Sequence, residues 1–147
     1  PEDSDDVALL VVQLATGEHD HSFRGSAAGA AGLKALRAQL RQWLAGLDLD
    51  DDAQYDVLLA AGEACANSVE HAYGAGDGPV ELVAVVHHGT LELTISDRGA
   101  WVGPPSGAQR GQGLLLMRSL VDRVAVRATG SGTVVSLAKR LRSASGD

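Results

Sequence analysis

Glu63-Ala-Cys-Ala-Asn-Ser-Val-Glu-His-Ala-Tyr73 closes the longest helical pattern in the chain, and reading that pattern as a helix decides the fold. The spacing predicts a helix over residues 53–71. Asp48, Asp50, Asp51 and Asp52 supply N-cap candidates and negative charge for its positive end. Gly74, Gly76, Gly78 and Pro79 then break it. On such a helix Glu63 and Asn67 lie about 40° apart around the axis, so both can address one ligand. Their neighbours Leu58, Leu59, Ala60, Ala61, Ala64 and Ala66 are apolar. A carboxylate and an amide are costly to bury unpaired among such residues, so the pair is expected to line a cavity. The plainer alternative is an exposed polar stripe shared with Asp56 and Glu70.

Outward from this helix, residues 80–87 and 91–96 read as a hairpin joined at His88-Gly89. The second strand alternates Leu, Glu, Leu, Thr, Ile, Ser, as a half-buried strand should. Upstream, Leu33, Leu36, Leu40, Trp43, Leu44 and Leu47 fall on one face of another helix, which is expected to start near Leu33. Residues 25–32, rich in Gly, Ala and Ser, read as a flexible loop, preceded by an edge strand over 21–24. Residues 7–12 read as one buried strand behind an acidic turn, without a nearby partner. Downstream, residues 97–112 lack periodicity and read as a long loop, a natural lid. A third helix is expected to start at Gly113, and a last hairpin pairs 124–128 with 134–139. Helices on one face of a mainly antiparallel sheet make a two-layer α/β sandwich. The tail, residues 143–147, reads as disordered.

Three further short signals carry chemistry. Asp97-Arg-Gly99 ends a clean strand. An ionised Asp only accepts hydrogen bonds, so it suits an exocyclic amine such as adenine's and rejects the carbonyl that guanine shows there. Gly99 lets backbone come close to a base. Arg110-Gly-Gln-Gly113 runs into Leu114-Leu-Leu-Met117. Glycines at a helix N-terminus expose backbone N–H groups to phosphate, and Arg110 adds positive charge. Gly132-Thr133 opens the last strand, where a hydroxyl can touch a base. Taken singly, each is also an ordinary turn or loop. Neither the Rossmann fingerprint nor a Walker loop is present.

The totals exclude several classes. The 147 residues suit one domain. A net charge of −7 argues against nucleic acid and anionic membrane as partners. No apolar run is long enough to span a bilayer, and no secretory leader opens the sequence. A lone cysteine, Cys65, rules out a disulfide framework and a cysteine-rich zinc site, and fits a cytoplasmic location. Cys65 and Trp43 read as core, Arg118 and Arg123 as surface. His19, Asp20 and His21 lack a third metal ligand, and His71, one turn beyond Asn67, reads equally as a residue that approaches the phosphates and as a helix-end histidine favoured by the dipole. With Pro1 at the start and Met117 as the sole methionine, the chain reads as a fragment.

Taken in order, these signals are a helix with Glu-x-x-x-Asn, a hairpin, Asp-x-Gly, a long loop, Gly-x-Gly on a helix and a hairpin with Gly-Thr. That order resembles the ATP-binding fold shared by gyrase, heat-shock chaperones, histidine kinases and mismatch-repair ATPases. Within it the chain is most similar to the anti-sigma-factor serine/threonine kinases. The resemblance covers residues 23–142 and rests on 63–73, on Asp97-Arg-Gly-Ala-Trp-Val-Gly-Pro-Pro105 and on Gly111-Gln-Gly-Leu-Leu-Leu-Met117. It implies the Bergerat (GHKL ATPase) fold, with a mixed, mainly antiparallel sheet. It also implies ATP and Mg2+ as cofactors, Asn67 as ligand of the magnesium ion, and Asp97 at the adenine, where Gly99 and Thr133 are the further candidates read above. Gly111 and Gly113 would then bound the lid over the phosphates, with Arg110 the candidate for added positive charge, and Glu63 would be the general base. The implied partners are a STAS anti-anti-sigma domain that receives the phosphoryl group, a sigma factor, and a second copy of the chain in a homodimer. Trp101, Pro104 and Pro105 depart from the bare pattern and should stiffen the lid. Residues 5–12 resemble the closing strand of metal-dependent serine phosphatases, so 1–16 read as the remnant of a preceding domain and 17–142 as the kinase domain. Two alternatives stand: a nucleotide-gated module that sequesters its partner and transfers nothing, and the catalytic domain of a histidine kinase.

Overall fold

The computed structural model describes residues 13–16, 21–47, 49–73, 78–98, 107–129 and 132–141. Six strands and three helices follow in the order β1 (Gln13–Thr16), β2 (His21–Ala28), α1 (Gly29–Ala45), α2 (Asp51–Tyr73), β3 (Pro79–His87), β4 (Thr90–Asp97), α3 (Gly107–Leu120), β5 (Arg123–Thr129) and β6 (Gly132–Arg140). The strands form one sheet in the order β1-β2-β3-β4-β6-β5, and every described pairing is antiparallel. The expected sandwich is present, with its sheet more uniformly antiparallel than "mixed" suggests.

Strand alternation decides which face is covered. Val80, Leu82 and Ala84 on β3, Leu91, Leu93 and Ile95 on β4, and Val135 and Leu137 on β6 are all buried. They meet Leu36, Leu40 and Leu44 of α1, Val57, Ala60, Ala61 and Ala64 of α2, and Met117 of α3 in one core. Truncating a leucine such as Leu93 in a core of this kind costs about 2–5 kcal/mol. On the opposite face Arg24 and Glu81 form an exposed ion pair at 2.9 Å. Trp43 is partly buried against the core, its ring 5.8 Å from that of Phe23. The β3–β4 turn falls at His88-Gly89, with φ of 53° and 77°, the double left-handed turn that suits strand twist.

Two boundaries differ from expectation. Residues 25–28 are strand rather than loop, and α1 begins at Gly29 rather than near Leu33. Strand β2 lies between β1 and β3, so it is interior. Its Gly25 and Ala27 are small because α1 packs directly on it. Likewise α3 begins at Gly107 rather than Gly113, taking in residues assigned to the long loop. The first turns of α3 carry no apolar periodicity, so the sequence pattern does not announce them, and α3 as a whole packs against α2. The expected strand over 7–12 and the tail lie outside the described residues.

Helix α2 and the sheet share a direction. Asp50 and Asp56 line a hollow of about 570 Å³ with Thr90 and Lys139, so α2 starts beside the beginning of β4 and the end of β6. It then runs over β3, β4 and β6 toward the edge where β4 ends at Asp97 and β6 begins at Gly132.

Candidate functional site

At that edge Asp97 and Thr133 are cross-strand partners. Asp97 is 5% exposed and Thr133 2%, and the Thr133 backbone N–H donates to Asp97 Oδ1 at 3.2 Å. The Thr133 backbone thereby helps to orient the carboxylate. Gly132 makes this close approach possible: a Cβ there would collide with the Asp97 carbonyl and lie 3.0 Å from the Arg98 Cα. No side chain fits that position.

Helix α2 brings the second half of the site. Asp50 caps it, its Oδ1 accepting the Ala53 N–H at 2.7 Å. Val57, Ala60, Ala61 and Ala64 form the buried stripe that holds the helix on the sheet. Glu63 and Asn67 flank that stripe on the side of α3. They stand against Gly113, where an added Cβ would lie 2.8 Å from Asn67 Nδ2 and 3.0 Å from Glu63 Oε2. The absent side chain of Gly113 is thus what lets α3 close on the carboxylate and the amide. Both side chains are half-buried, so the pair neither sinks into the core nor projects into open solvent.

The other flank of α2 faces α1 across an apolar hollow of about 240 Å³, lined by Leu33, Leu36, Leu40, Ala61, Cys65 and Leu82 among others. Burial pushes the Cys65 thiol up to about 12, which makes it an inert core residue. Cys65 is therefore core, as expected, and Arg118 and Arg123 are exposed.

The structure thus joins Asp97 to Thr133, and Glu63 and Asn67 to Gly113, with both groups at one end of the molecule. Gly111 and Arg110 lie in the backbone of α3, which corrects one expectation: these glycines are inside a helix, not ahead of it. Their amides belong to the helical ladder, and the unpaired N–H groups are those of residues 107–110. Gly99, the expected lid with Trp101, Pro104 and Pro105, and the His71 side chain lie outside the described residues. Sequence reasoning missed Ser68, which is fully buried among the alanines of α2.

The donors present fit a hard cation only in part. Among the described residues no group of three or more His, Cys, Asp or Glu could hold a metal ion. A magnesium ion here would take the Asn67 amide oxygen and draw its other ligands from phosphate and water, the usual pattern for that ion. Among the described residues no helix is long and apolar enough to cross a membrane.

Residues 27–139 match the family described as histidine kinase-like ATPase domain. The serine-protein kinase RsbW of Bacillus pumilus (strain SAFR-032) is 36% identical over 105 residues, covering 58% of this chain and 64% of that one. The anti-sigma F factor of Pasteuria penetrans is 31% identical over 121 residues, covering 72% and 81%. The crystal structure of the RsbU and RsbW domains of a Mycobacterium tuberculosis protein superposes with a TM-score of 0.63 at 28% identity, covering 77% of this chain and 30% of that one. The chain therefore spans just under two thirds of the Bacillus kinase and under a third of the mycobacterial chain.

Proposed function

The chain belongs to the histidine kinase-like ATPase domain family, and from that premise we propose that it is an ATP-dependent serine/threonine kinase of the anti-sigma-factor type. Its substrate is a serine or threonine on a STAS anti-anti-sigma domain, and its output is the availability of a sigma factor in the cytoplasm. A second copy of the chain completes a homodimer. The observation that carries this reading is the meeting of Glu63 and Asn67 over Gly113, at the end of α2 that lies toward Asp97 and Thr133.

In this reading Asp97 accepts a hydrogen bond from the exocyclic amine of adenine, and the Thr133 N–H fixes the carboxylate in place. The triphosphate extends along α2 toward Asn67. Magnesium, when bound, neutralises phosphate charge and helps align the transferred group. Glu63 takes the proton from the incoming hydroxyl as that oxygen bonds to the γ-phosphorus and ADP leaves. A positioned base of this kind contributes about 10²–10⁴-fold. Access of phosphate to the backbone of Gly111 and Gly113 requires the first turns of α3 to unwind. Gly107, Gly111 and Gly113 make that inexpensive, since each glycine weakens a helix by about 1 kcal/mol relative to alanine.

The test is transfer of γ-labelled phosphate from Mg-ATP to candidate STAS domains, with Glu63→Ala alongside. The variant is expected to keep nucleotide binding while its transfer falls by about 10²–10⁴-fold. Undiminished transfer would remove Glu63 from the role of base, and transfer to no STAS domain would leave a sequestering module in place of a kinase.

A further inference from the structure

Helix α2 carries a glycine that no contact among the described residues explains. Gly62 lies in the middle of the helix, where glycine weakens the structure relative to alanine. Such a residue is accounted for when a side chain would collide with a neighbour, as at Gly113. At Gly62 an added Cβ would meet nothing within 4 Å. In front of it is the apolar hollow of about 240 Å³ between α1 and α2, so the missing side chain leaves room that the protein does not fill.

The lining of this hollow has two parts. Leu36, Leu40 and Leu82 are buried and form its apolar floor. Lys34 and Arg37, one turn apart on α1, are exposed and are the charged residues at its mouth. Neither side chain has a partner among the described residues, and no carboxylate lines the hollow. In a chain of net charge −7, two unanswered cations over an apolar floor form a local positive spot. Size narrows the occupant further. The hollow holds the volume of about eight water molecules at ~30 Å³ each. Two turns of a helix of ~10 Å diameter occupy several times that volume, so the space suits one aliphatic chain and not the helix of a partner protein.

We propose that the hollow between α1 and α2 binds a small anionic amphiphile, a straight-chain carboxylate of medium length. Its chain lies on Leu36, Leu40 and Leu82 and crosses the backbone at Gly62, where apolar burial holds it. Its carboxylate meets Lys34 and Arg37 at the mouth, each a donor of hydrogen bonds to an anion. Glu63 and Asn67 stand on the other flank of α2, against Gly113. The amphiphile site is therefore separate from the one proposed for nucleotide, and both can be filled at once.

The experiment is calorimetric titration of the intact chain with hexanoate, octanoate and octanol, each kept below its micelle or solubility limit. A buried methylene adds about fourfold in affinity, so octanoate is expected to bind about tenfold to twentyfold more tightly than hexanoate. Octanoate is also expected to bind about threefold more tightly than octanol, the scale of an exposed ion pair. The double variant Lys34→Gln/Arg37→Gln is expected to erase that preference and to bind octanol as wild type does. Gly62→Leu places a side chain in the hollow and is expected to weaken octanoate at least about tenfold. It should melt no lower than wild type, since leucine favours the helix and meets open space. Saturating Mg-ATP is expected to leave the affinity for octanoate unchanged. Octanoate binding that Gly62→Leu leaves intact, or that Mg-ATP abolishes, lies elsewhere on the molecule and overturns the assignment. So does equal affinity of wild type for octanoate and octanol, or failure of wild type to bind octanoate at all.

Discussion

The two ends of α2 both carry polar side chains, and they treat them differently. At the start Asp50 caps the helix at 2.7 Å, Asp56 faces Lys139 at 3.8 Å, and Lys139 donates to the Leu120 carbonyl at 3.0 Å. Nearby, Asp122 Oδ2 accepts the Arg140 N–H at 2.6 Å. Toward the other end Glu63 and Asn67 face a glycine, and the Ser68 hydroxyl faces nothing. A hollow of about 570 Å³ lies at the first end, away from the residues proposed to bind nucleotide. Groups answered from within the protein hold the helix in place, whereas groups left for a ligand mark where chemistry happens.

If that contrast holds, substitutions at the two ends must separate stability from function. The largest effect is the transfer defect of Glu63→Ala described above, at unchanged stability. Next is Gly132→Ala, whose new methyl meets the backbone of Asp97 and Arg98, neither of which can swing aside. It is expected to lower stability by about 2–3 kcal/mol and to weaken nucleotide binding, read by denaturant unfolding and calorimetry. Asn67→Ala is expected to weaken nucleotide binding about tenfold in the presence of magnesium and far less without it. Equal affinities of wild type and variant with magnesium present would remove Asn67 as a metal ligand. Smallest is Asp50→Ala at the scaffold end, expected to cost about 1 kcal/mol of stability as a lost helix cap. Its transfer rate should match wild type at temperatures where it is folded, and a deficit there would blur the distinction between the ends.

Local signals with a mechanism were readable in the sequence. The β3–β4 hairpin follows from alternation and from His88-Gly89, and α2 follows from Asp50 and its apolar stripe. Residues that depend on packing were not. Gly25-Ser-Ala-Ala28 has the composition of a loop, yet α1 needs a strand of small residues beneath it. The first turns of α3 are glycine-rich and polar, so no periodicity announced them, and the two glycines expected before the helix lie inside it. Among the candidate residues, Glu63 and Asn67 were visible because a carboxylate and an amide are costly in an apolar helix unless used, and Asp97 and Thr133 through the order of the Asp-x-Gly and Gly-Thr motifs along the chain. Ser68 was invisible because a serine among alanines passes for a small core residue. Its missing partner is a property of the folded molecule alone.

The central claim is that adenine binds at the Asp97 end of α2. The most direct measurement is a calorimetric titration of wild type and Asp97→Asn with Mg-ATP. The substitution keeps shape but turns part of an acceptor-only group into a donor facing the adenine amine. The account predicts that wild type binds and that the variant loses at least about tenfold in affinity, the scale of one hydrogen bond to a charged group. Equal affinity for the two proteins would contradict it.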